Sequence, residues 1–186
     1  MTVTGVFDLF SSVLSYPAEG YRDAVPDLQR QLADLDPSET DGQAVETARA
    51  LMKLFVDETG DLSLQELEEL YTRTFDINPI CTLEVGWQLF GEAYERGAHL
   101  VKMREMLRRH GIEESTELPD HLCHVLKLLG QLEPEEADAY VRTSLLPALT
   151  KMLDGFARHS SPYQHVLQAL DALIRHLYLQ GVQTHD

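Results

Sequence analysis

Hydrophobic residues recur every three or four positions along most of this 186-residue chain, and that spacing constrains the fold more than any other feature of the sequence. In the first segment they fall at i, i+3, i+4, i+7 and i+8, as on one face of an α-helix. Residues 82–85 are the one stretch that resembles a strand, and no alternating segment elsewhere offers it a partner. The sequence therefore predicts an all-α, single-domain helical bundle of about seven to nine helices.

Breaks in the pattern mark the predicted helix ends. Interruptions occur at Tyr16-Pro17, Asp36-Pro37, Gly60-Asp61 and Asp76-Ile77-Asn78-Pro79. Ser63 followed by Glu66 predicts a capping box, in which each residue binds a backbone N–H of the other. Gly111 suits the position after a helix end, and Pro134 and Pro162 suit first turns.

Two long helices are predicted in the second half of the chain. The first runs from Trp87 to about Arg109, with five residues on one face: Trp87, Phe90, Tyr94, Ala98 and Val101. Gly86, Gly91 and Gly97 interrupt its early turns, and close packing or a bend would explain them, since glycine costs up to ~1 kcal/mol inside a helix. The second covers residues 134–156, with a kink predicted at Pro147.

Length and charge limit the functional classes. A chain of this length fits one domain, residues 1–186. Lys and Arg number 15 against 31 Asp and Glu, giving a formal net charge of −16, which argues against general binding of nucleic acid. The sequence contains no stretch of about 18 apolar residues and no recognisable secretory signal, so we expect a cytoplasmic protein that is not inserted in a membrane.

The densest polar constellation is Asp120, His121, Cys123 and His124. A metal or cofactor site is one interpretation, since His121 and His124 share a helical face. The other is a helix start, with Asp120 accepting bonds from free N–H groups of the first turn. Common catalytic motifs are absent from the sequence, including HExxH, G-x-S-x-G, Cys-x-x-Cys and Glu-x-x-His, which weighs against an enzyme.

Three groups of residues, in the same order and spacing, resemble a known family. The segment Glu117-Leu-Pro-Asp-His-Leu122 looks like the E-x-x-D-H-L motif of the redox-enzyme maturation chaperones, the NarJ/TorD/DmsD superfamily. Val13-Leu-Ser-Tyr-Pro17 resembles the family's L-L-x-Y-P opening. A third region resembles its F-D…T-S-L…H-G-E-x-x-x-R-G pattern through Phe75-Asp76, Thr82-Leu83, Phe90-Gly91-Glu92 and Arg96-Gly97. The closest type is the nitrate reductase delta subunit.

This resemblance implies a chaperone without catalytic activity and without a cofactor or metal of its own. Its partner would be the apo catalytic subunit of a molybdenum oxidoreductase, bound through an N-terminal, twin-arginine-like peptide before and during molybdopterin insertion. The implied peptide-binding residues are Tyr71, Phe75, Glu92, Glu117, Asp120 and His121. Acidic stretches at residues 57–76 and 113–138 suit a peptide that carries arginines beside apolar residues, although such charges also solvate outer helix faces.

Two alternatives remain open at this stage. One is a metal- or cofactor-binding helical enzyme or carrier that uses Asp120, His121, Cys123 and His124. The other is a permanent structural subunit of an oxidoreductase.

Overall fold

The computed structural model describes residues 3–35, 42–77 and 81–179. Its α-helices are α1 (Val3–Val13), α2 (Tyr21–Ala33), α3 (Gly42–Thr59), α4 (Leu64–Phe75), α5 (Val85–Phe90), α6 (Tyr94–Arg109), α7 (Leu122–Leu129), α8 (Pro134–Tyr140), α9 (Leu146–Gly155) and α10 (Tyr163–Leu179). A π-helical turn, Val141–Leu145, joins α8 to α9. With that continuous run counted once, the described residues form nine helices and no strand, which confirms the all-α prediction.

One hydrophobic core runs through the bundle. Helix α1 lies between α2 and α7, while α10 packs along α3. The apolar stripe of α1 is buried as predicted, with Phe10, Val13 and Leu14 fully covered. Among the described residues, no helix combines the length and the apolar character needed to span a bilayer.

Local signals placed several helix ends correctly. The Ser63 hydroxyl accepts the N–H of Glu66 at 3.2 Å, and the Glu66 carboxylate accepts the N–H of Ser63 at 2.7 Å, which completes the predicted capping box. Gly111 follows α6 with φ of +65°, a conformation that glycine adopts without strain. The predicted breaks at Asp36-Pro37 and Asn78-Pro79 lie outside the described residues.

The prediction of one helix from Trp87 to Arg109 is wrong. Gly91, with φ of +57°, ends α5, and α6 begins three residues later. The face expected to carry the stripe is largely exposed: Trp87 and Phe90 are each 36% exposed, and Tyr94 is 91% exposed. The bend redirects the two helices, so their spacing no longer forms one buried stripe.

A π-helical turn lies just before Pro147, where the sequence predicted a kink. Pro147 lies in the first turn of α9, immediately after Val141–Leu145. Proline has no N–H, and its ring clashes with the carbonyl four residues earlier. A wider turn before the proline accommodates both effects without breaking the helical run.

Candidate functional site

The segment that ends in Asp120 holds the start of α5. The backbone carbonyl of Asp120 accepts the N–H of Val85 at 3.0 Å, and its carboxylate Oδ2 accepts the N–H of Gly86 at 2.7 Å. The carbonyl of Leu83 accepts the N–H of Leu122 at 2.9 Å. Asp120 thus satisfies the first two free N–H groups of a helix that has no side-chain cap of its own.

Asp120 does not cap the helix that follows it, contrary to the helix-start interpretation. His121 is the N-cap of α7, and its Nδ1 accepts the N–H of Cys123 at 3.2 Å. The Asp120 side chain is fully buried and is already engaged with α5. Burial raises the pKa of this carboxyl, with Glu84 adding to the effect and the bond from Gly86 opposing it.

His121 joins the N-cap of α7 to the aromatic core. Because Nδ1 accepts a bond, Nε2 carries the proton in the neutral ring; it lies 3.5 Å from the hydroxyl of Tyr71. That hydroxyl in turn donates to the carbonyl of Leu14 at 3.3 Å. Burial, with a contribution from His124, lowers the pKa of His121 to about 3, so its ring is neutral near pH 7.

Tyr71 and Phe75 lie in a buried aromatic cluster. Their ring centroids are 5.0 Å apart, and Phe75 lies 5.0 Å from Tyr163. Tyr16 packs edge-on against Tyr71 at 5.5 Å and is 45% exposed. Four of the residues implied by the resemblance are therefore buried side by side or in sequence: Tyr71 contacts Phe75 and His121, and Asp120 directly precedes His121 and binds the start of α5.

The accessible surface beside these residues is a groove of about 460 Å³, here called the α4 groove. It is lined by Tyr16, Gln65, Glu68, Glu69, Thr72, Arg73 and Ile77. Its exposed apolar members are Tyr16 and Ile77, the latter 70% exposed. Neither residue is among those that the resemblance implied, although Tyr16 belongs to the Val13–Pro17 motif and could have been selected from it.

Three carboxylates from different segments form an acidic cluster next to the groove: Asp76 at the end of α4, Glu84 before α5, and Glu117. Burial and the Glu84 carboxylate raise the pKa of Asp76. Burial, Asp76 and Glu84 together raise the pKa of Glu117. Within the described ranges none of the three forms an ion pair, so their mutual repulsion is uncompensated there.

Glu92 is separate from the four buried residues that the resemblance implied. It lies exposed in the connection between α5 and α6, beyond the bend at Gly91. No hydrogen bond or ion pair links it to another described residue.

Of the four side chains in the metal or cofactor alternative, only His121 and Cys123 contact each other, at 3.0 Å between Nδ1 and Sγ, while Asp120 and His124 bind backbone groups elsewhere. Asp120 binds Gly86, and His121 lies between Tyr71 and Cys123. His124 Nε2 accepts the N–H of Ser115 at 3.0 Å, and Nδ1 donates to the carbonyl of Leu118 at 2.9 Å. In residues 3–35, 42–77 and 81–179, no three His, Cys, Asp or Glu side chains converge in a way that could hold a metal ion.

Comparison with known proteins adds independent information. The family model described as nitrate reductase delta subunit matches residues 18–169. The "Probable nitrate reductase molybdenum cofactor assembly chaperone NarJ" of Bacillus subtilis (strain 168) is 25% identical over 172 residues, which cover 92% of this chain and 89% of that protein.

Two further matches are a partial sequence relative and a structural relative of low identity. The nitrate reductase molybdenum cofactor assembly chaperone NarJ of Escherichia coli (strain K12) is 31% identical over 93 residues, covering 50% of this chain and 39% of that protein. A crystal structure from Archaeoglobus fulgidus, described as a redox enzyme maturation protein, superposes with a TM-score of 0.60 and 18% identity over 92% of this chain and 93% of that one. The structural match establishes a shared fold.

Proposed function

The chain belongs to the nitrate reductase delta subunit family, and from that premise we propose that it is a cytoplasmic assembly chaperone for a nitrate-reductase-type molybdenum enzyme. It binds the N-terminal, twin-arginine-like peptide of the apo catalytic subunit and keeps that subunit competent for molybdopterin insertion. The chain contributes binding energy to this process and no catalytic step. The names of its relatives support the molybdenum cofactor assembly role.

The observation that carries the proposal is the combination of apolar and acidic surface at the α4 groove. Tyr16 and Ile77 give it apolar walls. Glu68 and Glu69 line it, and the acidic cluster of Asp76, Glu84 and Glu117 lies beside it, against a single basic lining residue, Arg73. A peptide with apolar residues next to arginines matches both properties.

The buried motif residues support the exposed side chains that line or flank the α4 groove. Tyr71 supports the ring of Tyr16, and His121 supports the hydroxyl of Tyr71. Asp120 fixes the start of α5, where Glu84 is the N-cap residue. In this proposal Glu117 contacts the peptide directly, whereas Tyr71, Phe75, Asp120 and His121 position the residues that do.

Glu92 is the remaining residue that the resemblance implied. Its exposed position beyond α5 leaves it available to a basic residue farther along the peptide.

A peptide titration tests the proposal. The probe is a synthetic peptide with the N-terminal sequence of the nitrate reductase catalytic subunit from the same organism, titrated calorimetrically. Tyr16→Ala and Ile77→Ser should each weaken binding by about tenfold, as expected when an apolar anchor of an interface is truncated. Leu54→Ser on α3, where the leucine is 45% exposed, is the matched control and should bind like the parent.

The same variants should be tested for maturation of the enzyme in cells that lack the parent chain. Reduced nitrate reductase activity with unchanged thermal unfolding supports the proposal. A parent protein that does not bind the peptide would contradict it, as would groove variants that bind as tightly as the Leu54 control.

A further inference from the structure

Three large aromatic side chains are exposed around the bend between α5 and α6, and are here called the aromatic face: Trp87, Phe90 and Tyr94. These three side chains are 36%, 36% and 91% exposed, respectively, within eight positions of the chain. Large apolar side chains grouped on the surface typically mark an interaction site, whereas isolated ones need no explanation. The face lies outside the α4 groove, since none of its residues lines that groove.

Two polar side chains contact two of the three exposed rings, those of Trp87 and Phe90. The guanidinium of Arg96 lies 4.9 Å from the centre of the Trp87 ring, within the range of a cation–π contact. The ring of His99 lies 5.6 Å from that of Phe90. A binding surface whose rings are already fixed loses less conformational entropy when a partner binds.

The aromatic face is continuous with the acidic cluster. Glu84 is the N-cap residue of α5 and precedes Trp87, in the first turn of that helix, by three positions. At the other end of the cluster, Asp76 directly precedes Ile77, a wall of the α4 groove. Acidic groups therefore lie between two apolar surfaces.

This order of surfaces points to one kind of occupant. Resting on the proposed function, we propose that the aromatic face of Trp87, Phe90 and Tyr94 binds a second apolar stretch of the same client peptide. The first stretch occupies the α4 groove, and the basic residues between the two stretches face Asp76, Glu84 and Glu117. The chain thus recognises a segment with an apolar–basic–apolar pattern rather than one apolar anchor.

Charge disfavours a second copy of this chain as the occupant. Glu92 and Glu95 are exposed beside the aromatic face, and the protein carries a net charge of −16. A symmetric dimer through this face would bring the same acidic residues of both copies together. A basic segment of the client meets no such repulsion.

Trp87 provides the first readout because it is the only tryptophan in the chain. The probes are the client N-terminal peptide used above and a shorter version that ends after its basic residues. The full peptide should shift the Trp87 emission to shorter wavelength and protect it from acrylamide, because the ring becomes covered. The shorter peptide should bind without either change.

Calorimetry with Tyr94→Ser provides the second readout, and the high exposure of Tyr94 makes the substitution benign to the fold. The full peptide should bind about tenfold more weakly to this variant than to the parent or to Leu54→Ser. Equal affinities of Tyr94→Ser and the parent for the full peptide would contradict binding at the aromatic face and leave the proposed function standing. Binding of the full peptide without a change in Trp87 emission would do the same. Failure of both peptides to bind the parent would overturn both proposals.

Self-association is a separate outcome. A shift in Trp87 emission that depends on protein concentration in the absence of peptide would assign the aromatic face to self-association and would also overturn this inference.

Discussion

The backbone N–H of Gly86 donates a 2.7 Å hydrogen bond to Oδ2 of Asp120, 34 positions later in the chain. A carboxylate from one segment thereby caps a helix that belongs to another. The arrangement favours the helix through both the hydrogen bond and the positive end of the helix dipole. It satisfies Oδ2 of this buried carboxylate, whereas Oδ1 has no hydrogen-bond partner among the described residues.

Gly86→Ala should destabilise the protein. A Cβ at this position would lie 2.6 Å from Oδ2 of Asp120 and 2.9 Å from Cδ2 of His99. Overpacking of this kind typically costs about 1–3 kcal/mol, which urea unfolding would measure. Gly97→Ala on α6 is the control: nothing lies within 4 Å of its added Cβ, so the helix should gain up to about 1 kcal/mol. Equal effects of the two substitutions would contradict the close contact.

Asp120→Asn should separate a structural role of this residue from a direct role in binding. The asparagine keeps an oxygen for the N–H of Gly86, so thermal unfolding and peptide affinity should stay close to those of the parent. Asp120→Ala leaves that N–H without an acceptor, which costs about 1–3 kcal/mol. A stable Asp120→Asn variant that fails to bind the peptide would show that the carboxylate charge itself meets the client.

The sequence was sufficient for features that depend on neighbouring residues. The stripe of α1 and the Ser63–Glu66 capping box both follow from spacings of a few positions, and local energetics determine them. Gly111 was placed correctly for the same reason, because a helix end needs a residue that tolerates positive φ.

Features that depend on distant partners were not predictable. Gly91 looks the same in sequence whether it bends a helix or sits inside one, and tertiary packing decides between the two. The preference of Asp120 for Gly86 over its own helix depends on where residues 81–86 pack. Likewise, spacing placed Tyr71 and Phe75 on one helix face, and only their packing against Tyr163 shows that this face is covered while Tyr16 stays accessible.

His121 should make the protein sensitive to mild acid. Its pKa is about 3 in the folded protein against an ordinary value of 6.5, so the unfolded chain takes up a proton first as pH falls below 6.5. The stabilising contribution of the neutral His121 ring is therefore fully present above pH 6.5 and is lost progressively as the pH falls towards 3. The loss attributable to His121 is about 2 kcal/mol at about pH 5.

Urea unfolding of the parent and of His121→Gln near pH 7 and pH 5 measures this contribution. The glutamine cannot take up a proton, so the difference in stability between parent and variant should shift by about 2 kcal/mol in favour of the variant at the lower pH. His159→Gln, at an exposed position, controls for the loss of a histidine elsewhere. A constant difference between parent and His121→Gln would show that the ring is not held neutral by burial.

The acidic cluster should make peptide binding depend on salt. Replacing both Glu84 and Glu117 by glutamine removes two exposed or half-buried ion pairs with the peptide, worth about 0.5 kcal/mol each, or about fivefold in affinity together. The loss should shrink as salt rises, because exposed charges are screened beyond ~8–10 Å. Calorimetry at two salt concentrations measures it.

Glu105→Gln combined with Glu135→Gln removes two exposed carboxylates away from the cluster and matches the change in net charge. If this control variant weakens binding as much as the cluster variant does, the overall charge of the protein attracts the peptide and the cluster has no specific role.

The dependence of α5 on Asp120 also has a consequence for the order of events during translation. Helix α5 has only six residues, too few to persist alone in water, and its first two N–H groups rely on Asp120, a residue in the second half of the chain. A nascent chain that has not yet been synthesised past Asp120 therefore lacks a stable α5. The surface that carries Glu84 and Trp87 therefore forms only after the ribosome has passed Asp120, and under the proposed function a partly synthesised chain would not engage its client through that surface.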